Sequence, residues 1–130
     1  MKTYYAVTGI LQHNSKTLIL KKSHDDFNYP DKWSFCSGYV KEFEAAEDTI
    51  VREIKEETGL DGKIVKKGRI FQVVDSGKTW VVTPFLCKVD SDNVKLCHEN
   101  TEYKWINLED IGNYESVPGI KKALKTFGLA

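Results

Sequence analysis

The chain predicts an α+β domain, a mixed β-sheet with α-helices packed against it, on three observations. Short runs alternate apolar and polar residues, as half-buried strands do; a central segment switches to helical spacing; and a second helical pattern closes the chain. With 130 residues and a 41% hydrophobic fraction, there is enough apolar surface for one core, so a single domain over residues 1–130 is expected.

Tyr4 to Leu11 and Thr17 to Lys22 read as strands joined by a turn at His13-Asn14-Ser15. Side chains alternate with period two along a strand, so Leu18, Leu20 and Lys22 share a face. A polar loop with aromatics follows from Ser23 to Lys32, then a short strand, Trp33 to Cys36. From about Ala45 to Thr58 the spacing is helical. Glu44, Glu47 and Asp48 lie at its start, where the helix dipole favours negative charge, and Gly59 stands where a helix exits left-handed. Lys63 to Asp75 and Lys78 to Val89 read as two strands around a Ser76-Gly77 turn, with Pro84 expected at an edge or bulge. Glu102 to Asn107 reads as another strand, and Pro118 to Phe127 as a closing helix with proline at its start.

Composition removes several function classes. Lys+Arg and Asp+Glu are equal at 19 each, so no basic field exists for gripping nucleic acid. No apolar run reaches the ~20 residues that span a bilayer, and the first residues lack a charged-then-apolar leader, so a cytoplasmic location is expected. Cys36, Cys87 and Cys97 lack the paired spacing of a zinc site, and Cys97-His98 alone does not supply one.

The central helix carries the chemistry. On a wheel of about 100° per residue, Ile50, Val51 and Ile54 form a packing arc, and Glu53, Glu56 and Glu57 fall together beside it. Carboxylates stacked three and four residues apart repel by ~0.2–0.5 kcal/mol per close pair, so stability gives little reason to cluster them. A divalent cation reverses the sign, and oxygen-only ligands select Mg²⁺ or Mn²⁺ over zinc. A solvated acidic face with pairs such as Arg52 and Glu56 is the plainer alternative.

The segment from Gly38 to Leu60, GYVKEFEAAEDTIVREIKEETGL, resembles the Nudix hydrolase signature at every defined position: Gly38, Glu44, Arg52, Glu53, Ile54, Glu56, Glu57, Gly59 and Leu60. A chance match in so short a chain is on the order of one in tens of millions. Trp33-Ser34-Phe35, Tyr103-Lys104-Trp105-Ile106 and the closing helix extend the likeness over most of the chain. Two positions depart from the family pattern. Cys36-Ser37-Gly38 replaces the usual Pro-Gly-Gly, and Phe43 stands where glycine is usual.

The resemblance implies the Nudix fold, a mixed sheet sandwiched between helices, and Mg²⁺-dependent attack of water on a nucleoside diphosphate linked to another moiety. It implies that Glu53, Glu56 and Glu57 bind metal together with the Gly38 carbonyl, with Glu53 and Glu56 among the catalytic groups, and that Glu44 and Arg52 brace the loop. The general base is Glu53, Glu99 or Glu102. Glu102 is preferred for its place just before Tyr103-Lys104-Trp105, and Lys22 resembles a position that touches substrate phosphate. A nucleotide-sensing module without turnover and an isopentenyl diphosphate isomerase are the rival functions on this scaffold. The substrate is expected to be a small nucleotide-like diphosphate, and a homodimer is compatible with so small a domain.

Overall fold

The computed structural model describes residues 2–130. Strands β1 (Lys2–His13), β2 (Lys16–Lys22), β3 (Trp33–Ser34) and β4 (Cys36–Tyr39) precede helix α1 (Ala46–Thr58). Then come β5 (Gly62–Lys67), β6 (Phe71–Asp75), β7 (Lys78–Val89), β8 (Asn100–Ile106), a 3-10 helix (Leu108–Asn113) and helix α2 (Ile120–Thr126). All eight strands join one mixed sheet. Its main path is β3-β2-β1-β7-β5, with β4 on β1, β6 on β7 and β8 on β2. The long β1–β7 pair is parallel, and the other pairs are antiparallel.

The period-two pleat divides the apolar residues between two faces. Val7, Leu11, Leu18, Leu20 and Phe85 pack under α1 against Ile50 and Ile54. Ile10, Ile19, Trp33, Phe35 and Ile106 pack on the other face against Ile120, Ala123 and Leu124 of α2. Helices on both faces of a mixed sheet make the expected α+β sandwich. Val51, expected in the packing arc of α1, is instead 43% exposed, because the buried arc runs through Thr49, Ile50, Ile54, Glu57 and Thr58 and leaves Val51 at its margin.

Three further expectations change. The run Lys63 to Asp75 is two strands, because the chain bends at residues 68–70, where the Gly68 N–H donates to the Pro84 carbonyl and the Arg69 N–H to Thr126 Oγ1. Pro84 lies in a central strand, opposite Thr8 of β1, and not at an edge. It is tolerated because its carbonyl, and with it the side that lacks an N–H, faces the gap where β7 passes from β6 to β5. Pro118 does not open α2. Gly119 intervenes with φ 98°, a left-handed conformation, so the helix begins at Ile120.

Candidate functional site

Gly38 of β4 lies against the Glu53 side chain of α1, so that a Cβ at this position would collide with the Glu53 carboxyl as it is placed. Glu57, one turn further along, is 6% exposed. Its Oε2 accepts the Ser37 N–H at 3.3 Å and the Cys36 thiol at 3.6 Å, and its Oε1 accepts Asn100 Nδ2 at 3.4 Å. Burial pushes the Glu57 carboxyl well above the usual carboxylate range, and the neighbouring Glu53 charge adds to this; Lys22 and Asn100 act in the opposite direction. Two carboxylates in this setting need a proton or a cation between them.

Arg52 is the hub beside this pair. Its Nε and Nη2 donate to the two Glu44 oxygens at 2.8 and 2.9 Å, and Nη1 donates to Glu53 at 2.7 Å and to Glu56 at 3.2 Å. Glu44 Oε1 also accepts the Lys41 N–H at 3.2 Å and the Thr49 hydroxyl at 2.9 Å. The fork of hydrogen bonds from Arg52 holds the Glu44 carboxyl down at about 2 and ties the loop after β4 to α1. Glu56 leans toward Arg52, and its side chain is 55% exposed. Among the described residues, no three carboxylate, histidine or cysteine groups converge into a finished cage. The donor set nonetheless suits a hard cation: carboxylate oxygens beside the backbone of Gly38, two of them crowded together out of water.

A cleft of about 440 Å³ runs from this point along the α2 face of the sheet. Lys22, Gly38, Glu53 and Glu99 line one end; Ala6, Val73, Trp80 and Val82 line its floor, and Pro118, Gly119, Ile120 and Ala123 its wall. Tyr29 and Asn28 close the far side, tied to the β6–β7 hairpin by Tyr29 OH donating to Asp75 at 2.7 Å and Lys78 Nζ to Asn28 Oδ1 at 2.6 Å. Phe27 stands at the rim, 88% exposed. Trp80 is buried against Tyr4 and Tyr29, and Trp33 against Tyr114.

Glu99 and Glu102 fall in different places. Glu102 pairs with Lys21 in the β2–β8 register and bonds its Nζ at 3.4 Å, on the face of the sheet that carries Ile19 and Ile106. It is not part of the cleft lining, whereas Glu99 is. Between them the β2–β8 register shifts at Lys21 and Lys22, which leaves Thr101 without a strand partner. That shift also turns Asn100 toward Glu57, a contact that no spacing rule in the sequence announces.

This fold and site define a hydrolase of phosphorus-containing anhydrides, and the chain belongs to the Nudix family: a family model described as NUDIX domain matches residues 3–127. Among similar proteins, the nucleoside triphosphatase NudI of Escherichia coli O139:H28 is 25% identical over 140 residues, with 99% of each chain covered. A MutT protein from Methanosarcina mazei Go1 superposes with a TM-score of 0.83 at 25% identity, over 93% of this chain and 88% of that one. A MutT NUDIX hydrolase from Burkholderia pseudomallei gives 0.85 at 18% identity, over 97% and 98% of the two chains, a likeness of fold.

Proposed function

We propose that the protein is a Mg²⁺-dependent hydrolase of a nucleoside diphosphate linked to another moiety, and that nucleoside triphosphates are the first substrates to try. The observation that carries this reading is the buried Glu57 carboxyl beside partly exposed Glu53, which lies against Gly38 at the end of a cleft large enough for a nucleotide. The 25%-identical relative named a nucleoside triphosphatase supports the choice of triphosphates.

In this reading Glu53, Glu57, Glu56 and the Gly38 carbonyl hold the ion. Bound Mg²⁺ supplies charge neutralisation on the phosphate oxygens and acidifies water. The protein does the rest. Arg52 keeps Glu53 and Glu56 in position, with Glu44 as its counter-brace. Lys22, close enough to bias the Glu57 carboxyl, presents its ammonium to the phosphate chain. Glu99, exposed and lining the same end of the cleft, takes the proton from the attacking water. The aromatic and apolar floor excludes solvent and receives the base. Free Cys36, Cys87 and Cys97 suit a reducing cytoplasm.

The test is a screen of nucleoside triphosphates, nucleotide sugars and dinucleotides with Mg²⁺, with both products identified. Glu56→Gln should lower turnover of the best substrate by orders of magnitude while the melting temperature holds. Hydrolysis by this variant at the parent rate would sink the reading.

A further inference from the structure

Asn100 is the first residue of β8 and is 7% exposed, a buried amide with no role in the core clusters. Buried polar side chains are held by partners, and here the amide Nδ2 donates to Glu57 Oε1 at 3.4 Å. Its place on this face is built by the backbone. From Ile106 to Glu102, β8 pairs residue for residue with Thr17 to Lys21, and then the register slips so that Asn100 stands opposite Lys22. In a regular strand Asn100 and Glu102 would share a face, two residues apart. The unpaired Thr101 puts them on opposite faces, so the bulge aims Asn100 at α1. The Asn100 N–H donates to the Cys97 carbonyl at 3.3 Å, closing the turn that enters the strand.

The Glu57 carboxylate is thereby gripped from two sides. Ser37 N–H and the Cys36 thiol, from β4, hold Oε2, while Asn100, from β8, holds Oε1. Donors on both oxygens fix the plane of the carboxylate and leave further lone pairs for a cation. We infer that Asn100 is a positioning residue for the metal site, orienting Glu57 through its amide so that the carboxylate meets a divalent ion without reorganising. The inference rests on the reading of Glu53, Glu56 and Glu57 as metal-binding groups. It adds a residue outside the signature segment, on a different element.

Removing such an outer partner weakens metal affinity by roughly 10–100-fold in known sites. The experiment is calorimetric titration of Mn²⁺ into the wild type, Asn100→Leu, which keeps the volume and deletes the donor, and Asn100→Ala, in case the leucine does not fold. Turnover is measured in parallel as a function of Mg²⁺. The expected result is a roughly 10–100-fold weaker Mn²⁺ affinity, a matching rise in the Mg²⁺ needed for half-maximal rate, and recovery of most of kcat at saturating Mg²⁺. A residue that only supported the fold would lower the metal-free melting temperature and leave these metal midpoints unchanged. Wild-type Mn²⁺ affinity in a folded variant overturns the role of Asn100 alone. A wild type that takes up no Mn²⁺ overturns the metal reading and this role with it.

Discussion

Glu99 and Glu102 are three residues apart in sequence, and of the two only Glu99 lines the cleft. Glu102 is paired with Lys21, and Glu99 lines the cleft together with Lys22 and Glu53. Glu99→Gln should therefore depress kcat by roughly 10²–10⁴-fold, the usual worth of a general base, with Mn²⁺ affinity retained. Glu102→Gln should leave kcat unchanged, since an exposed ion pair contributes about 0–1 kcal/mol. Steady-state rates for the pair decide the matter, and equal losses would remove Glu99 from its role. Phe43 makes a different statement at the same scale. It occupies φ 64° and is fully exposed, so it carries left-handed strain without burying any area in return. That strain costs about 1–2 kcal/mol, and the extra freedom of an unfolded glycine recovers part of the difference. Phe43→Gly should thus stabilise the protein by about 0.5–1 kcal/mol in denaturant melts; a loss of stability would mean that the ring holds something in place.

At the scale of elements, the loop after β4 and helix α1 are joined by one bidentate ion pair. The Glu44 carboxyl is lowered to about 2 when folded, from an ordinary 4.5, chiefly by the hydrogen bonds from Arg52. A depressed carboxyl contributes stability that is fully present above its unfolded value and fades as pH falls through the folded one. The stability gap between wild type and Glu44→Gln should therefore be constant above about pH 5 and shrink between 4.5 and 2. Urea melts along that range give the curve, and a gap that widens on acidification would contradict the pairing. Arg52, Glu53, Glu56 and Glu57 were legible as neighbours because they stand at fixed spacings around one helix, where three- and four-residue steps dictate contacts. Glu44 lies in the loop before α1, and its tie to Arg52 was legible only through the resemblance to the Nudix signature. Most strands and both helices were legible from the same kind of local spacing, period two for strands and three- and four-residue steps for helices. The face taken by Asn100 was not, since one unpaired residue, Thr101, reverses the parity on which such inferences depend. The break between β5 and β6 was equally hidden. It follows from the hydrogen bonds of Gly68 and Arg69 to Pro84 and Thr126, which are long-range contacts with no local signature.

For the molecule as a whole, the site is a place where stability is set against function. Glu57 lies in the main hydrophobic interface of the fold, between α1 and the sheet, beside a second carboxylate. Without a cation, a buried pair of this kind is weak evidence for stability, and neutralising one member is often neutral or stabilising. Glu57→Gln keeps the volume, can still accept one of the hydrogen bonds from β4, and can donate to Glu53. In the presence of a chelator, this variant should therefore melt at or above the wild-type temperature. Magnesium should reverse the order. A ligand that binds only the folded state stabilises by RT ln(1 + [L]/Kd), about 2.7 kcal/mol at a hundredfold excess over Kd, which for a domain of this size is a rise of several degrees. The wild type should show that rise and Glu57→Gln should lose most of it, so the two melting curves exchange order between chelator and Mg²⁺. Parallel melts of both proteins, with a nucleotide present and absent, read this directly. A Glu57→Gln protein that melts well below the wild type in chelator would show that the buried carboxylate supports the fold itself, through Cys36, Ser37 and Asn100, independently of any ion.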